Sequence, residues 1–149
     1  MSERRTLKFA DADAVAAEVR RLRAGYTQAG EWSLPQACWH LNKAIRFSMN
    51  PPPQVKMTKP GLIRKMQLMA ILIVGRIPAG AHAPEKITPT KDVPESAIDE
   101  FLVTLNDLNN FKGEFAPNPL FGQLSRGRYM RLHLVHCAHH LGFLSATNR

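Results

Sequence analysis

The sequence predicts an all-α protein: a four-helix bundle with a long crossover between its second and third helices, carrying an accessory helix. Three observations point there. Apolar residues recur at helical spacing in several segments, while alternating, strand-like runs are nearly absent. Capping residues and prolines stand where such helices should start and stop. The 149-residue chain, 44% apolar, suffices for one globular domain with its own core.

The first helix is expected over roughly 12–24, opening near Asp11 or Asp13. Val15, Val19 and Leu22 share one face, and Gly25 can end it. The second, about 34–50, has the clearest start. In "WSLPQACWHL" Ser33 is the N-cap, Gln36 completes a capping box, and Pro35 is tolerated in the first turn. Trp32, just before the cap, is expected to pack on Ala37 as a hydrophobic staple. Pro51, Pro52 and Pro53 forbid continuation. Residues 51–94 form the crossover, with an accessory helix from about Pro60 to Val74, ended by Gly75. The third bundle helix, about 95–111, carries the stripe Ile98, Phe101, Leu102, Leu105 and Leu108. After the loop "GEFAPNPLFGQL", Ser125 can cap the last helix, about 126–145.

Composition narrows the function classes. The longest apolar run, residues 66–74, is far shorter than the eighteen or so that a membrane span needs. The twin arginines of "MSERRTLKF" lead not into an apolar region but to Asp11, Asp13 and Glu18, so a cytoplasmic protein is expected. Cys38 and Cys137 make neither a disulfide framework nor a CxxC zinc spacing, and read as small buried thiols. The formal charge is +8, with no Asp or Glu from Trp32 to Pro84 nor after Glu114. Without a dense cationic cluster or an aromatic RNA-binding signature, that balance suits a carboxylate-bearing small molecule better than nucleic acid.

The last helix holds four histidines in eight positions, within "LHLVHCAHHLGFL". On a wheel, His136 and His140 lie about 40° apart, in the sector of Tyr129, Leu132 and Phe143. His133 and His139 flank them, each about 60° from His136. A buried polar side chain without a partner costs on the order of 1–3 kcal/mol. One reading gives these imidazoles backbone or water partners in an ordinary core. The other uses the i, i+4 spacing to present two nitrogens to one ion. His40, at the edge of the second helix's apolar stripe, favours the ion. It lies about 10 Å from that helix's start, against about 8 and 14 Å from the last helix's end for His140 and His136. In antiparallel helices all three would reach one level. Three histidines without a fourth protein ligand suit a catalytic ion with an open position, and imidazole suits Zn²⁺, Ni²⁺, Fe²⁺ or Cu²⁺. No carboxylate accompanies the histidines in residues 115–149, so the catalytic base is not identified. Cys137, four residues after His133, is a rival ligand whose structural role is preferred. His82 reads as a loop residue of the crossover.

"WSLPQACWHL" with the distant "HCAHHLGFL" resembles the DinB-like superfamily of bacterial metal-binding four-helix bundles. The resemblance carries over to Trp32, Ser33, Gln36, His40 and Leu41, and to the pair His136 and His140. It implies that His40, His136 and His140 bind one divalent ion. The stretch "NPLFGQLSRGRYMRLHLVHCAHHLGFL" is similar to a branch described only as a domain of unknown function. Many superfamily members follow the last ligand with Arg-Gly-Gln, whereas Leu141, Gly142 and Phe143 follow His140 here.

The resemblance implies an enzyme that activates a low-molecular-weight thiol for transfer or isomerisation, with Zn, Ni or Fe as the metal. Lys43, Arg46 and Arg131 are then candidates for contacting the thiol's carboxylates, each otherwise a solvated surface charge. A metal-dependent hydrolase is the alternative, as is a non-catalytic metal-binding or stress-related interaction protein. Apolar surface on the accessory helix would serve a homodimer or complete the core.

Overall fold

The computed structural model describes residues 3–51, 53, 59–78 and 85–147. Among them the chain is mostly helical. It has α1 (Ala12–Arg23), α2 (Leu34–Met49), α3 (Leu62–Val74), α4 (Ser96–Asn109) and α5 (Arg126–Leu141). A 3₁₀ turn spans Glu85–Ile87, and two short strands are β1 (Tyr26–Gln28) and β2 (Leu144–Ala146). No helix among the described residues is long and apolar enough to cross a membrane.

Local chemistry accounts for most helix starts. The Asp11 carboxylate accepts from the Ala14 N–H, and the Ser125 hydroxyl from the Arg128 N–H. Ser33 and Gln36 close the reciprocal box expected of them. The Tyr26 hydroxyl takes the next orphan donor, the Leu34 N–H, at 3.0 Å. Helix α3 lacks a side-chain cap and begins after Gly61, while Gly75 ends it in the left-handed region at φ 73°.

The apolar stripes then choose their neighbours. Helix α4 packs on α1 and α2, while α5 packs on α1, α2 and α3. Val15, Val19 and Leu22 meet Leu34, Leu41 and Ile45, with Phe101, Leu105, Leu108, Leu132 and Leu141, in one buried cluster. Each full burial of such a side chain stabilises by roughly 1.5–3 kcal/mol. Leu68 and Leu72 are the buried residues of α3, and the Leu72 carbonyl accepts from Arg131 Nε at 2.6 Å.

One expectation needs correction. Helix α5 stops at Leu141, not near 145; Gly142 and Phe143 form a turn, and Leu144–Ala146 are strand rather than helix. The Arg5 N–H donates to the Gly142 carbonyl at 2.7 Å, occupying an acceptor that a continuing helix would use. Leu144–Ala146 instead pair antiparallel with Tyr26–Gln28, Gln28 opposite Leu144. A three-residue strand is too short to show the alternation by which strands are recognised. Other boundaries shift by a residue or two, α3 starting at Leu62 and α4 at Ser96.

Candidate metal centre

His40 sits two turns into α2, 2% exposed. His136 and His140 project from successive turns of α5 and keep partial exposure. His136 Nε2 lies 3.0 Å from His40 Nε2 and 3.1 Å from His140 Nε2. One ligand nitrogen from each residue lies within 4.8 Å of the others. Nitrogens bound tetrahedrally to zinc at 2.0–2.1 Å would be about 3.3 Å apart, so two of the three spacings are near those of a ligand set.

Hydrogen bonding among the rings alone leaves this arrangement unsatisfied. His40 Nδ1 donates to the Ile87 carbonyl at 2.7 Å, so a neutral His40 has a bare lone pair at Nε2. If His136 Nε2 carries a proton, that single proton must serve both neighbours. If it does not, its lone pair opposes that of His40 at 3.0 Å. Charging the rings would supply protons, but burial opposes it. Burial lowers the pKa of all three, with mutual repulsion adding to the effect on His136 and His140. Three neutral imidazoles with converging lone pairs are matched by one cation. The Ile87 contact is the kind of outer hydrogen bond that fixes a ligand's tautomer.

Trp32 forms one wall. Its ring stacks on His140, with centroids 4.8 Å apart and planes 19° apart, and tilts against His40 at the same distance. Beyond the staple expected of it at the start of α2, Trp32 thus has a role against the histidines. An aromatic residue before an N-cap carries both meanings, and the sequence has no signal that separates them.

The other histidines divide clearly. His133 stacks on Tyr129, and its Nε2 donates to the Ser48 hydroxyl, whose own proton goes to Ile45 O. Burial pushes its pKa down to about 3. That is the satisfied core histidine of the plainer reading. His139 lies edge-on to His140 but accepts at Nδ1 from Arg4, 2.9 Å away. Burial first, then the Arg4 charge, push it down to about 4. Arg4 also donates to Ile77 O, bracing α5 against the segment after α3. Arg4 was invisible as a site residue, being 135 positions from its partner.

Cys137 does not join the group; burial pushes its thiol up to about 12, and that of Cys38 further. Among the predicted cations, Arg46 is paired with Asp107 at 2.6 Å and Arg131 is tied to Leu72 O. Lys43 is exposed, its ammonium 5.4 Å from the Trp39 ring centre. His82 lies outside the described residues.

A mostly helical protein that gathers three histidine nitrogens from two helices, with no carboxylate in the group, has a donor set able to hold a divalent ion. Over residues 1–147 the chain matches the family described as "Protein of unknown function (DUF1569)", and it belongs to that family. No curated protein and no solved structure matches it.

Proposed function

We propose that this chain is a divalent-metal-dependent enzyme of the DinB-like type. In this reading α1, α2, α4 and α5 are the helices of a single-domain bundle, and His40, His136 and His140 are the ligands of one ion. The convergence of three imidazole nitrogens, without a carboxylate in the group, carries the reading. A bound Zn²⁺, Ni²⁺ or Fe²⁺ would lower the pKa of a low-molecular-weight thiol and so supply a nucleophile at neutral pH.

The chain's own residues make the site suited to that task. Neutral imidazoles leave the ion's positive charge uncompensated, which favours an anionic thiolate as the further ligand. His40 is held in one tautomer by Ile87 O, and Trp32 covers one side of His40 and His140. Among the cations proposed to meet the thiol's carboxylates, Lys43 is the least constrained, since Arg46 and Arg131 have intramolecular partners. Thiol transfer or isomerisation ranks above hydrolysis because attack by water calls for a base, and no carboxylate belongs to the group. A small-molecule substrate and a cytoplasmic setting complete the proposal.

The test is elemental analysis of untagged protein, purified without chelator, beside His136→Ala. The expected result is near one equivalent of metal, lost in the variant while far-UV circular dichroism is unchanged. Thiol-conjugation and hydrolysis assays with that metal then separate the two reactions. Protein that carries no metal and binds none of Zn²⁺, Ni²⁺ or Fe²⁺ would sink both, leaving a non-catalytic interaction protein.

A further inference from the structure

Helix α3 presents an exposed apolar face. Leu62, Ile63, Ile73 and Val74 are 74, 72, 75 and 65% exposed, and Met66 and Met69 are 63 and 39% exposed. Together the six expose on the order of 700 Å² of apolar surface, above the roughly 300–600 Å² of the largest patch on a typical monomer. The four of them that share one stripe, Leu62, Met66, Met69 and Ile73, expose on the order of 450 Å² of it, a little over half of the roughly 800 Å² that each partner contributes to a standard interface.

The spacing says what kind of surface would cover it. Leu62, Met66, Met69 and Ile73 follow one another at intervals of four, three and four residues. That is the alternation of a coiled-coil seam, which packs against another helix. The interval pattern also reads the same in both directions. Two copies of α3 crossing antiparallel about a two-fold axis would set Leu62 against Ile73 and Met66 against Met69 of the other copy. On the helical wheel the stripe spans about 60°, with Arg64 about 170° and Lys65 about 70° from its centre, so no charge falls on the seam. It contains no Trp, Tyr or Phe of the kind that anchors a helix at a lipid interface.

We propose that α3 is a homodimer interface, in which a second copy of this chain covers the stripe by an antiparallel α3–α3 contact. Light scattering coupled to size exclusion, across a wide concentration range, tests it. Wild type should have twice the 16.7 kDa chain mass. Met66→Glu places two carboxylates in the seam and should weaken association at least about a hundredfold, giving the monomer mass. The substituted residue is exposed, so the variant should keep its circular dichroism, and its metal content should equal that of wild type. This last readout keeps the test independent of the metal proposal. A wild-type monomer at every concentration would overturn the interface, as would a dimer that survives Met66→Glu. A monomer that co-sediments with anionic phospholipid vesicles would assign the face to a membrane instead.

Discussion

Trp32 links the helix start to the histidine cluster, because one ring closes both against α5. Truncating it removes the wall that orients His140 without removing a ligand. Trp32→Ala should therefore weaken metal binding roughly tenfold, the lower end of what outer contacts contribute, as read by competition with a chromophoric chelator. An affinity equal to wild type would reduce Trp32 to core packing. His133 makes a prediction about acid. Unfolded, it titrates near 6.5; folded, burial holds it near 3. The unfolded chain therefore takes up a proton that the folded chain refuses. Its contribution is complete above about pH 6.5 and is lost as pH falls toward 3, at roughly 1.4 kcal/mol per unit. His139, held near 4, acts in the same direction. Metal-free protein should show a level denaturant midpoint above about pH 7 and a falling one from 6.5 to 4. A level midpoint down to pH 4 would mean that these rings are not buried as described.

Among the elements, α2 rests on its first turn. Ser33 and Gln36 satisfy each other's backbone donors, and Gln36 Nε2 also reaches Thr90 O at 3.0 Å. Ser33→Ala should cost about 1 kcal/mol by denaturant unfolding. Gln36→Ala should lose a comparable amount and, in addition, loosen the segment whose Ile87 carbonyl orients His40, so its metal affinity should fall where that of Ser33→Ala does not. The end of α5 depends on a glycine for space. A Cβ at Gly142 would lie 2.7 Å from Arg5 O and 2.8 Å from Ala138 O. Gly142→Ala should displace the chain around Arg5, a change visible as faster amide exchange at Arg5, whose N–H now bonds to Gly142 O.

For the whole molecule, the rings of His40, His136 and His140 bring α2 and α5 together, so an ion held by them would bind the folded chain and not the unfolded one. Free ion at a hundred times its dissociation constant would add about 2.7 kcal/mol. For a chain of this size, that shifts the thermal midpoint by about 5–10 °C. Chelator should reverse the shift in wild type and leave His136→Ala unmoved. Equal melting of wild type with and without ion would count against a centre that bridges the helices.

Read alone, the sequence determined what local chemistry controls. Asp11, Ser33, Gln36 and Ser125 mark helix starts because each satisfies a donor within three residues of itself. The apolar stripes and the HxxxH spacing of His136 and His140 were legible because one helical turn relates them. The resemblance and the depth estimate brought His40 to the pair, although that estimate placed the end of α5 four residues too far. Tertiary structure decided whatever depends on partners far along the chain. It stopped α5 at Leu141 by spending the Gly142 carbonyl on Arg5, and it paired Tyr26–Gln28 with Leu144–Ala146. It put Trp32 on the histidines and gave His133 to Ser48, His139 to Arg4 and His40 to Ile87. It also left apolar residues of α3 exposed, which periodicity could not foresee, since an apolar stripe reads the same whether the core or a second copy covers it. Contacts of this kind have no period; they exist only once the helices have packed.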